Sequence, residues 1–271
     1  MFTTNSRAIT MMFNPTNRTR KILATLLAAG VVGGTVAGAT AASKTSPAPV
    51  PKVVNAASNG PTAPVPKAVP AAAAKSTVPA PLTRAETAAE DVIGFLEKGQ
   101  RAKSKSEARI LRDLAHGEAG DALHRAGVPE AQIKAFQRRA DHTARLSLSG
   151  AAAQQVSQAA NSVSQLMPSF YARYHDPVPA TVLRLDYLER QAQLDAHAGQ
   201  PAKLGHTVSQ LATTWQQLRP QLVTAGGAKV ASSYDQHVTA LKRGGTATAI
   251  QSQAVHGLDL VDQMEGVFLG E

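Results

Sequence analysis

From Thr83 onward, apolar side chains recur at steps of three and four residues, punctuated by short turns rich in glycine and proline. The clearest run is Leu204, Val208, Leu211, Trp215, Leu218 and Leu222. That spacing keeps one apolar stripe on one face of a helix. The stretch before it, residues 177–199, predicts a companion helix. Gly199 can close that helix in the left-handed conformation, and Pro201 can open the next.

The same pattern extends in both directions. Val92, Ile93 and Leu96 mark a short helix ending near Gly99, and a second is expected over about 106–126. Thr83 with Glu86, and Ser104 with Glu107, fit the spacing of capping boxes. A third helix, over about 129–146, turns Ile133, Phe136 and Ala140 inward, and a fourth over about 151–174 is interrupted near Pro168. Beyond Gly226-Gly227, Val230, Tyr234, Val238 and Leu241 form a seventh stripe. Beyond Gly244-Gly245, with Thr246 as a cap, Ile250, Ala254, Val261, Met264 and Phe268 form an eighth. No alternation of period two is long enough to predict a strand. Helices of about 20 residues joined by tight turns pack antiparallel. The expected fold is all-α: an antiparallel bundle of seven or eight helices over 83–271, with a boundary between two sub-bundles near 147–177.

The first 82 residues have a different character. Arg18, Arg20 and Lys21 precede a stretch, 22–36, that is apolar and rich in small residues. Ala37-Gly38-Ala39 or Ala39-Thr40-Ala41 then supplies the small-x-small pattern of signal-peptide cleavage. Residues 1–41 therefore predict a signal peptide or, if uncut, an N-terminal anchor; a start at Met11 or Met12 would shorten its basic leader. Residues 42–82 hold nine prolines and no acidic or aromatic residue, and Ala-Pro-Val-Pro-Lys occurs at 48–52 and again at 63–67. Such a segment cannot bury a core and favours extended polyproline II, so it is expected to act as a spacer.

Charge changes the picture only once it is located. Of the 28 Lys and Arg, eight lie in residues 1–83 with no Asp or Glu, leaving 20 basic against all 19 acidic groups beyond. A balanced body argues against a nucleic-acid partner. The absence of cysteine excludes disulfides, thiolate metal sites and an acylated lipoprotein anchor.

Candidate chemistry is sparse. No nucleophile elbow, phosphate loop, His-Glu-x-x-His or dinucleotide fingerprint is present, so no catalytic residue is assigned and no cofactor is required. Tyr171, Arg173, Tyr174, His175 and Asp176 concentrate aromatic and polar groups at a helix end and loop, a plausible binding edge; the aromatics could equally plug a junction between bundles. A metal ion is the alternative. Asp186 and Glu189 share one helix face, Asp259 and Asp262 another, and with His237 they could converge on a cation if the two helices are neighbours. The competing expectation is that Arg184, Arg190 and Arg219 pair with these carboxylates at the surface. Asp113 with His116 and Asp121 with His124 fall on one predicted helix, which does not make a di-metal centre.

Asp176-Pro177, Leu188-Glu189-Arg190, Thr214-Trp215, Leu218-Arg219-Pro220, Gly226-Gly227, Tyr234 and the closing 258–268 segment together resemble a group of exported bacterial proteins. These pair a signal peptide or lipoprotein leader with a small helical domain. The resemblance covers about the last 95 residues. It implies an exported, bacterial, helical protein and carries no activity. The expected function is a non-catalytic envelope protein, periplasmic, wall-associated or extracellular. It would bind a cell-envelope protein or wall polymer and touch the membrane only through an uncut leader. Envelope metal delivery is the alternative, and a hydrolase of unrecognised type a third reading.

Overall fold

Paired prolines open the first helix. Pro79 precedes the first helix and Pro81 lies in its opening turn, where a fixed φ suits a helix and a missing N–H costs nothing. A computed structural model describes residues 77–271. The leader and nearly all of the spacer lie outside the described residues.

Ten helices follow: α1 (Ala80–Glu97), α2 (Arg101–His116), α3 (Glu118–Arg125), α4 (Glu130–Ser149), α5 (Ala153–Ser164), α6 (Met167–Tyr171), α7 (Ala180–His197), α8 (Pro201–Thr224), α9 (Ala228–Arg243) and α10 (Ala247–Leu269). No strand occurs among the described residues. The all-α expectation is met, with α2 and α3 where one long helix was expected and α5 and α6 meeting at the interruption expected near Pro168.

Two local expectations fail for identifiable reasons. The predicted 106–126 helix breaks at Gly117 into α2 and α3. The break lets Gly120 press on α2: a Cβ there would stand 2.5 Å from the Ala115 carbonyl oxygen, so only glycine fits. The capping boxes do not form either, because both helices start earlier. Glu86 is buried and accepts the Tyr171 hydroxyl, while Glu107 pairs with Arg84 at 2.5 Å.

The helices pack as two side-by-side bundles. α1, α2, α4 and α5 close one ring, with α3 packed against α1, α2 and α4. α7, α8, α9 and α10 close the second, and α7 also touches α5 and α6. Most of the buried apolar side chains form one core that runs from Leu82 and Phe136 through Met167 and Leu185 to Leu211 and Met264. Phe136 and Phe170 meet edge-on in it, with ring centres 5.7 Å apart. The α8 stripe is buried as its spacing predicts, with Leu204 only partly covered. Gly199 takes φ 62° and Pro201 is the first residue of α8.

Candidate functional site

The aromatic loop between α6 and α7 proves to be a plug. Tyr171 and Tyr174 are buried, the latter donating its hydroxyl to the Ala122 carbonyl at 2.9 Å. Asp176 Oδ1 accepts the Val178 backbone N–H at 2.9 Å and shapes the turn into α7. Arg173 and His175 are exposed, but the His175 backbone is bridged to Thr77, where the chain enters the folded unit. Of the five residues expected to form a binding edge, two are core and one holds a turn. This follows from the small, alanine-rich neighbours of α1 and α3, which leave space that only large rings fill.

The predicted metal set fares no better as a set, although α7 and α10 are neighbours as it required. On α10, Gly257, Leu260, Val261 and Met264 face inward, which turns Asp259 and Asp262 outward to the surface. On α7, Asp186 turns to Arg190, accepting its Nε–H at 3.0 Å. Among the described residues, no group of three or more His, Asp or Glu side chains stands where it could hold a metal. His116 and His124 make exposed pairs with Asp141 at 2.9 Å and Glu130 at 3.5 Å, contacts worth little.

The arginines do pair, though not as a surface fringe. Arg190 is buried between bundles, bound to Asp186 and 3.6 Å from Glu90 of α1. Burial alone would lower its pKa, but the two carboxylates raise it, so the cation is fixed. Arg184 reaches Gln210 and lies over the Tyr187 ring. Arg219 binds Asp235, which also accepts the Trp215 indole N–H at 2.8 Å.

What the structure does bring together is Glu189 and His237, with Tyr234 as a third member the sequence reading had placed among core residues. The Glu189 and His237 side chains are 0% exposed, with Glu189 Oε1 2.7 Å from His237 Nε2. The same oxygen accepts the Tyr234 hydroxyl at 2.6 Å. Glu189 Oε2 and His237 Nδ1 are buried with no protein partner. Burial raises the Glu189 pKa, while the bonds from His237 and Tyr234 act to lower it. The Tyr234 phenol is pushed well up by burial and by the neighbouring carboxylate. Trp215 packs against Tyr234 with the rings tilted and their centres 4.7 Å apart, and the His256 ring meets His237 edge-on at 6.0 Å. An acid, an imidazole and a phenol in this arrangement can hold and exchange a proton; they have no access to a substrate.

A second feature is open. Leu204, Val208, Ala212, Leu241 and Ile250 floor a groove of about 520 Å³ between α8 and the α9–α10 turn. Ser209, Thr213, Gln216 and Lys242 rim it. A smaller hollow of about 220 Å³ adjoins it at Ala212, Gln216 and Lys242 and is lined by Trp215, Arg219 and Asp235. No α8 or α9 residue of this groove was singled out as a binding residue in the sequence, because its floor is the bundle's own apolar stripe.

No family model matches the chain, and neither the curated proteins nor the solved structures searched give a match.

Proposed function

We infer that the chain is an exported, non-catalytic helical-bundle protein of the bacterial envelope that binds a partner or ligand through its C-terminal bundle. One observation carries the binding part: the open groove on α8, whose apolar floor and polar rim have the make-up of a ligand site. The leader-like residues 22–36 and the Pro/Ala spacer support export and a body held away from its attachment point. The ligand class that suits the groove is an extended apolar molecule with an anionic end, because Lys242 is the cation at its rim.

The test uses the full chain and a long-chain fatty acid as probe. A Gly205→Phe variant fills the groove from an exposed helical position where an added Cβ meets nothing within 4 Å. Saturable binding in the parent and its loss in Gly205→Phe, with an unchanged melting temperature, is the expected result. Equal binding by both forms would remove the groove from the account. Export is tested separately, by recovering the chain outside the cytoplasm and finding its new N-terminus near residue 40.

A further inference from the structure

We propose that Glu189, Tyr234 and His237 form a buried proton-binding centre whose occupancy sets how tightly α9 and α10 close on α7. The inference does not depend on what the groove binds.

The argument starts from space. Gly257 of α10 lies directly on the Glu189 carboxylate, where an added Cβ would stand 2.4 Å from Cδ and from Oε2. Nothing larger than a proton has room there. The proton sits on the short line between Glu189 Oε1 and His237 Nε2, carried by one or the other. With it in place the pair is neutral overall. When it leaves, a carboxylate charge stays behind in a dry site, with the Tyr234 hydroxyl donating at Oε1 and no donor at Oε2. An ionised carboxylate in apolar surroundings is unstable unless its lone pairs are satisfied. Relief comes from water entering along the seam where α10 rests on the carboxylate through a bare glycine.

Other charged groups around the centre do not supply the missing compensation. On α7, Asp186 adds repulsion but is bound to Arg190, which Glu90 of α1 also engages. On α8, Arg219 is held by Asp235 of α9. On α10, His256 is the one further titratable ring in contact with the centre, at the edge of His237.

Trp215, the only tryptophan in the chain, packs against Tyr234 and reports the state of the centre. The experiment follows its emission in the full chain from about pH 4 to about pH 9, together with amide hydrogen exchange by mass spectrometry. A single reversible transition is expected, with emission moving to the red as the proton leaves. Once the intrinsic rise of amide exchange with pH is divided out, protection in α9 and α10 should fall about tenfold or more across it, and by clearly less in α1 and α4. Glu189→Gln should abolish the transition and His256→Gln should retain it. Survival of the transition in Glu189→Gln, or its loss in His256→Gln, would overturn the proposal. Should Glu189→Gln not fold, the exchange data on the parent chain decide alone: α9 and α10 responding no more than α1 and α4 overturns it.

Discussion

The two bundles share α7's neighbourhood yet solve the packing problem in opposite ways. The α1–α2–α4–α5 bundle is lined with small residues: Ala85, Ala88, Ala89, Ala108, Ala140 and Ala160 are all buried. Its buried polar groups are mostly neutral, among them Ser104, Thr143 and Asn161. The α7–α10 bundle uses larger side chains and encloses charge, with Glu189, His237, Asp195 and Arg190 all below surface. Asp195 is satisfied by Thr207 and Gln191, and Arg190 by its carboxylates. Of these four, Glu189 keeps a bare carboxylate oxygen, Oε2, and His237 a bare Nδ1. Small residues let helices approach closely and leave few groups to titrate, Glu86 and Asp91 of α1 among them, whereas a polar layer makes closure depend on protonation.

That contrast breaks most visibly where a side chain is removed. Phe136→Ala in the first bundle should cost about 3–5 kcal/mol, the usual penalty for an emptied aromatic site, and by the same amount at every pH. Urea denaturation at two pH values checks both statements. Arg190→Ala should cost about 3 kcal/mol or more, because it removes a buried cation that Asp186 and Glu90 both engage. Restoring charge balance with a second change, Asp186→Asn, should recover part of that loss. Gly257→Ala should cost about 1–3 kcal/mol by overpacking, and Glu189→Gln should not relieve it, since the amide occupies the same volume.

The smallest expected effect concerns pH. The folded state binds the Glu189 proton more tightly than the unfolded chain does, since burial raises its pKa. Stability from this group is therefore full below the ordinary carboxylate value and is lost as pH rises through the raised one. Asp91, pushed up by burial and by Glu107, acts in the same sense from the first bundle. Asp235 acts in the opposite sense. Partial burial would raise its pKa, but bonds from Arg219 and Trp215 hold it low, so its contribution is lost toward acid. Glu189→Gln should flatten the fall of stability between weakly acidic and neutral pH, leaving the Asp235 loss at the acid end. Melting temperatures across that range check the slope.

The helices were legible because a stripe every three or four residues records which face is buried, and the turns carry glycine or proline where the chain reverses. The interruption of the predicted 151–174 helix was legible from Pro168, which lies in the first turn of α6, whereas the break at Gly117 was not, since it depends on what the neighbouring helix presents. The centre was legible only in pieces. Glu189 falls in register with Leu185, Ala192 and Ala196; His237 sits in step with Tyr234 and Leu241; Gly257 sits between Ala254 and Val261. Three apolar stripes are each interrupted once, and the interruptions meet in one layer. Carboxylates spaced three apart suggested a cation site instead, because spacing says that two residues share a side of a helix, not that the side faces inward. Asp259 and Asp262 share the outer side. The tyrosines of the 171–176 loop looked like a binding edge for the same reason: composition does not reveal burial.

The most direct measurement is an NMR titration of the Glu189 carboxyl carbon in the full chain, with Glu189→Gln providing the assignment. A midpoint displaced clearly above the ordinary carboxylate range, moving together with the His237 ring signals, is the predicted result. A midpoint within that ordinary range, or one uncoupled from His237, would contradict a dry proton-holding layer at the heart of the second bundle.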